Sequence, residues 1–141
     1  MLPETLQLDI VTPEKRVVSM TVDEVVLPGR LGSLGVLPGH APLLTDLDIG
    51  ALTYRRGEER RSVAVAGGFA EVLPDRVTVL AEVAEPAEEI DVERAAKARE
   101  RAEQRLKAPE AETDFERAQQ AMRKALLREE IARSRHRREG P

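Results

Sequence analysis

The sequence predicts an α+β fold: an N-terminal antiparallel β-sandwich over residues 1–86, then a C-terminal antiparallel two-helix hairpin over residues 87–141. Three observations carry this. Up to Pro86, apolar residues recur with a period of two in short runs broken by Gly and Pro. After Pro86 they recur at spacings of three and four among Ala, Glu, Arg and Lys, all good helix formers. Apolar residues make up 41% of the chain but aromatics only 2%, so the core must be built from Val, Leu, Ile and Ala.

The elements follow in order. In "LQLDIV", Leu6, Leu8 and Ile10 alternate onto one face of a strand. The runs "RVVSM", "VDEVVLP", "GALTYRR", "RSVAVAGGFAEV" and "RVTVLAEV" continue that pattern. Turn signals separate them: "TPEK", "PGRLG", "LPGHAP", "RRGEER" and "LPDR". Tyr54 to Arg60 reads as a hairpin in which Gly57 is free to take a positive φ. Many short strands at close spacing indicate an antiparallel sandwich or flattened barrel.

Residues 91–107 read as the first helix, opened by Asp91 as its cap. "APEAET" is a connection, and a second helix follows, capped by Thr113 or Asp114. A short link between two helices favours an antiparallel hairpin. The first helix offers Val92, Ala95, Ala98, Ala102 and Leu106 to the seam. The second offers Phe115, Ala118, Met122, Ala125 and Ala132, with Leu126, Leu127 and Ile131 alongside. At about 0.8 kcal/mol per buried CH₂, Ala in place of Leu forfeits roughly 2 kcal/mol at each seam position. The hairpin is therefore expected to be a detachable element rather than a permanent core.

The chain has no cysteine, which excludes disulfides, thiolate chemistry and Cys-ligated metal. Its two histidines, His40 and His136, are far apart, so a His-rich metal site is not expected. No apolar run reaches spanning length and no basic, signal-like segment opens the chain, so solubility in a reducing compartment is expected. The formal net charge of −4 argues against nucleic-acid binding. Residues 1–85 are acidic on balance and residues 86–141 slightly basic. The local basic cluster "RSRHRR" (Arg133 to Arg138) suits the negative end of a helix dipole.

The search for chemistry returns little. "PGRLGSLG" matches neither the Walker pattern nor the dinucleotide fingerprint, and it precedes strand-like sequence rather than a helix. It reads as turns between strands. His40 has Asp46 and Asp48 nearby, but no serine stands in a nucleophile-elbow context. The carboxylates of "ERAAKARERAEQR" read as solvated i,i+4 pairs. No catalytic residue is assigned, and the sandwich is read as a binding or assembly module. Arg94 leaves two readings open. A cation in the first turn of a helix is electrostatically disfavoured. It is either a solvated residue offset by Glu88, Glu89 and Glu93, or it holds an anion.

The run "VVLPGRLGSLGVLPGHAPLLTDLDIGAL", followed by "AVAGGFAEVLPDRVTVLAE", resembles the epsilon subunit of the rotary, F-type ATP synthase. The resemblance extends over nearly the whole chain, including the Ala-rich helical hairpin. It implies a non-catalytic rotor subunit of the central stalk that couples proton flow to ATP synthesis. Its sandwich would pack on the gamma subunit and the ring of c subunits. The segment from Gly29 to His40 would face them, with Ser33 and His40 as candidate contacts. The hairpin would either fold against the sandwich or extend into the catalytic alpha/beta head and inhibit ATP hydrolysis. Membrane association would be peripheral, through the complex, on the cytoplasmic face of a bacterial plasma membrane.

Some members of that family bind ATP through an Ile-Asp-x-x-Arg-Ala motif, which stands here as Ile90, Asp91, Val92, Glu93, Arg94 and Ala95. Glu85, Arg101 and Arg128 match further positions of nucleotide-binding members. Lys124 departs from the pattern where such members can have Arg; it keeps the charge but lacks the planar two-pronged donor. The resemblance implies no obligatory cofactor, a regulatory ATP and no metal. Two other readings stand beside it. One is a stand-alone β-sandwich binding module with a helical appendage; the other is a nucleic-acid adaptor using Arg133 to Arg138.

Overall fold

The structure, a computed structural model, describes residues 2–107 and 115–139. The chain divides into two compact units, Met1–Pro86 and Ala87–Pro141.

The first unit is an eight-stranded β-structure: β1 (Leu6–Val11), β2 (Arg16–Val22), β3 (Glu24–Gly29), β4 (Gly32–Val36), β5 (Leu43–Asp46), β6 (Gly50–Arg56), β7 (Glu59–Leu73) and β8 (Arg76–Pro86). The strands are ordered β2-β1-β8-β7-β6-β3-β4, with β5 also on β7. The period of two becomes burial. Leu6, Leu8 and Ile10 of β1 are fully enclosed, as are Val25 and Leu27 of β3 and Val77 and Val79 of β8. These aliphatic side chains, with Val22, Val36, Leu52, Val63, Val65 and Val72, form one core.

The long strand β7 folds the sheet on itself. Its first half pairs with β6 from Arg56↔Glu59 to Gly50↔Val65, and its second half pairs with β5 from Asp46↔Phe69 to Leu43↔Val72. Between the halves, Gly67 has no register partner on β8, where Ala66↔Val83 is followed by Gly68↔Ala81. Both glycines have positive φ, 74° and 104°. A Cβ on Gly68 would lie 2.1 Å from the Leu80 carbonyl oxygen. The register is the same on both sides of Gly67, so this is a close approach of β7 to β8 without an inserted residue, and only glycine fits it at Gly68.

Two details depart from the reading of the sequence. One pairing is parallel: β1 runs alongside β8 from Gln7↔Arg76 to Val11↔Leu80. The whole sandwich lies between these strands in sequence, which provides the long crossover that parallel pairing needs. The segment Gly29 to His40 is also not a single loop. Gly29 pairs with Gly32 across a two-residue Arg30-Leu31 turn, and Gly32–Val36 is strand β4 on β3. Its glycines read as turn punctuation, but in β4 they lie in the ladder.

The second unit comprises a 3-10 turn (Ala87–Glu89), α1 (Val92–Lys107) and α2 (Phe115–Glu139). The helices pack on each other and the 3-10 turn packs on α2, so the pair is antiparallel. Ala95 and Ala102 of α1 and Ala118, Ala125 and Ala132 of α2 are buried along the seam. Phe115 is not a seam residue; it is 50% exposed, as Leu126 is at 45%. With Arg99 beside Glu129 in an antiparallel pair, α1 ends at Lys107 short of the level of Phe115 and offers it no face to pack on. The connection "APEAET" and the caps Thr113 and Asp114 lie outside the described residues, as do the side chains of the basic tail from Arg135 on.

Candidate functional site

The Ile-Asp-x-x-Arg-Ala segment divides its labour. Ile90 is 3% exposed and its N–H donates to the Ala87 carbonyl. Asp91 is the cap: its Oδ1 accepts from the Arg94 N–H at 3.2 Å, and its carbonyl accepts from the Ala95 N–H at 3.0 Å. The Arg94 N–H is one of the four that a helix start leaves unpartnered, and the Asp91 carbonyl takes the first bond within the helix. Ala95 is fully buried in the seam. Arg94 is exposed, so it is the member of the segment whose head group is available to a ligand.

Helical geometry places the remaining cations. Arg94 and Arg101 each precede a seam alanine, Ala95 and Ala102, by one residue, and Lys124 precedes Ala125 in the same way. In an antiparallel pair of right-handed helices, positions one residue before the seam fall on the same side. Arg128, one turn beyond Lys124, lies on that side too. Arg99 of α1 meets Glu129 of α2, so Arg101 and Arg128 sit at nearly one level along the hairpin. Lys124 lies about one turn toward the connection between the helices, and Arg94 roughly 10 Å the other way. One flank of the hairpin thus gathers Arg94, Arg101, Lys124 and Arg128. Exposed Arg105 and Arg117 extend it, four residues after Arg101 and seven before Lys124. The sequence reading did not name these two, although their helical spacing marks them. Glu85 belongs to the other unit, in β8 opposite Ala64, and the basic flank is complete without it.

A buried carboxylate also went unnoticed in the sequence. Glu129 is 5% exposed, the single polar or charged side chain so enclosed among the described residues. Arg99 Nε stands 2.9 Å from its Oε2, and Arg133 hydrogen-bonds its Oε1 from one turn along α2. The Glu-x-x-x-Arg spacing on α2 imitates a solvated i,i+4 pair. The seam encloses it instead.

The sandwich carries the other candidate contacts. Ser33 is exposed on β4, opposite Pro28. His40 is half-buried beyond the end of β4, where its Nδ1 donates to the Ala41 carbonyl at 2.7 Å. The two residues lie seven positions apart on a strand and a loop. Leu31 is fully exposed at the β3–β4 turn, and Leu37, Leu43 and Leu44 are exposed on the segment that follows β4. The Arg30 N–H donates to the Asp46 carbonyl and the Gly39 N–H to the Pro74 carbonyl, which pins this end of the sandwich in place. Exposed leucines on a hydrogen-bonded frame are suited to docking a partner.

Comparison with known proteins decides the family. A model of the ATP synthase delta/epsilon chain beta-sandwich domain matches residues 5–87, and one of the delta/epsilon long alpha-helix domain matches residues 88–133. The chain belongs to the ATP synthase delta/epsilon family. The ATP synthase epsilon chain of Syntrophobacter fumaroxidans is 54% identical over 129 residues, covering 92% of this chain and 96% of that one. The epsilon chain of Desulforamulus reducens is 53% identical over 125 residues, covering 89% and 95%. Among solved structures, a chain of the Euglena gracilis mitochondrial ATP synthase superposes with a TM-score of 0.79 at 25% identity, covering 96% of this chain and 84% of that one. A chain from the Tetrahymena thermophila mitochondrial ATP synthase shares the fold, with a TM-score of 0.60 at 17% identity over 90% and 96%. As a member of the epsilon branch, the chain is a non-catalytic subunit of ATP synthase.

Proposed function

We propose that the chain is the rotor subunit of the central stalk that joins the gamma subunit to the ring of c subunits, and that its hairpin restrains ATP hydrolysis. The observation that supports the assembly role most is the exposure of four leucines, Leu31, Leu37, Leu43 and Leu44, on the stretch of chain that holds Ser33 and His40. Apolar side chains held in water by a hydrogen-bonded frame gain free energy when a partner covers them, at about 25 cal/mol per Å² of apolar area. Ser33 and His40 would supply the polar contacts at that surface. No described helix is long and apolar enough to cross a membrane. The chain would therefore meet the cytoplasmic face of the bacterial plasma membrane through its partners. Pull-down of gamma and c subunits from a membrane extract tests this; the full chain retains both, and loss of both after Leu31→Asp with Leu44→Asp is expected. Retention of neither by the parent chain contradicts the role.

The hairpin is proposed to bind a regulatory ATP on its basic flank. Arg94, Arg101 and Arg128 offer planar forks to phosphate oxygens, and Lys124 offers a point charge. Asp91 holds the first turn of α1, whose N–H groups favour anions. Ile90 and Ala95 fix that turn by packing. Bound ATP would join cations of both helices and so favour the closed hairpin. The alanine seam gives the closed form little area to lose, which suits an element that must also extend into the catalytic head. Calorimetric titration with ATP and Mg²⁺ tests the site: a binding signal that disappears in Arg94→Ala is expected, and no signal at millimolar ATP contradicts it.

A further inference from the structure

The alanine seam leaves open what sets the register and the closing strength of the hairpin. Ala95, Ala102, Ala118, Ala125 and Ala132 are small and repeat every seven residues, so they are interchangeable on sliding by two turns. Glu129 is not. It is buried, and across the helix pair it meets Arg99, whose Nε stands 2.9 Å from its Oε2. The Arg99 Nε makes this contact without hydrogen-bond alignment, so charge rather than directed bonding holds the pair.

Each partner has a second ion pair on its own helix. Arg99 lies 3.5 Å from Glu103, four residues on, and Glu129 is bonded by Arg133, four residues on. Separation of the helices breaks the cross-helix contact and leaves both same-helix pairs intact.

We propose that the Arg99–Glu129 contact is the latch that closes the hairpin in one register, and that Glu103 and Arg133 let it open without stranding a charge. Its effect on enzyme regulation rests on the reading of the hairpin given above; the latch itself does not. The physical basis is the asymmetry of enclosed ion pairs. Removing one partner leaves the other desolvated and uncompensated, whereas replacing both with apolar groups of similar size is tolerated. α2 then carries a neutralised Glu129–Arg133 pair to whatever surface receives it.

The chain has no cysteine, so two introduced at exposed Glu100 and Glu130 can carry spin labels on the full-length protein without interference. Electron-electron distance measurement then reads the open and closed populations. Glu129→Gln is expected to raise the open-to-closed ratio about tenfold, discounted because Arg99 retains some solvent. Arg99→Gln should do the same, and the double variant should show much less than the product of the two effects. Arg99→Met with Glu129→Leu should keep the hairpin closed, which separates a latch from a general intolerance of change. Independent, multiplicative effects, or an unchanged distance distribution in Glu129→Gln, would overturn the latch. Opening without any change in ATP hydrolysis by the assembled enzyme would uphold the latch and overturn the regulatory reading.

Discussion

Replacing Asp91 by Ala separates two roles that one carboxylate combines. The side chain caps α1 by accepting the Arg94 N–H at 3.2 Å, at an exposed position. Loss of a cap of this kind costs about 1 kcal/mol. Loss of a negative charge beside the helix start adds about 0.5 kcal/mol at an exposed site. Together these predict a destabilisation of about 1.5 kcal/mol, or roughly tenfold faster amide exchange across the first turn of α1. Asp91→Asn keeps an oxygen in place and loses only the charge, so its exchange should accelerate about twofold. Hydrogen exchange read by mass spectrometry on the full chain measures both. If the carboxylate serves ATP only by holding that turn, Asn also restores ATP affinity to near the parent value. Unchanged exchange in Asp91→Ala would refute the capping argument, and lost ATP affinity in Asn with normal exchange would show direct contact instead.

Other outcomes follow from the same geometry. Gly68→Ala places a Cβ 2.1 Å from the Leu80 carbonyl oxygen at φ 104°, and should cost about 3 kcal/mol or more in urea unfolding. Gly57→Ala meets open space at φ 62°, and should cost only about 1 kcal/mol. Equal losses for the two would contradict the close approach of β8 to Gly68. Lys124→Arg restores a planar fork to the basic flank and should tighten ATP binding several-fold in calorimetry; an unchanged constant would place Lys124 outside the site.

Much of this was legible because burial repeats where the chain repeats. β1 runs from Leu6 to Val11, as the alternation indicates, because every second residue must leave water there. Gly57 takes its positive φ of 62° because a tight reversal between Arg55 and Arg60 needs one. Local pattern does not carry the rest. The glycines of β4 hide a strand whose pairing is decided by β3, a partner the local spacing cannot show. Phe115 has seam spacing, yet α1 ends at Lys107 short of its level, which the spacing on α2 cannot show. Glu129 has the spacing of a surface ion pair, and only the second helix reveals that it is enclosed. The basic flank is an intermediate case. Arg94 and Arg101 share a face by counting, but their meeting with Lys124 and Arg128 requires the antiparallel pairing of the helices.

The most direct test of the account is the ATP hydrolysis rate of the assembled enzyme with its subunit shortened after Pro86, where the two compact units divide. Faster hydrolysis, with gamma and the c ring still bound to the sandwich, is the predicted result. An unchanged rate in an enzyme that assembles normally would contradict the regulatory hairpin.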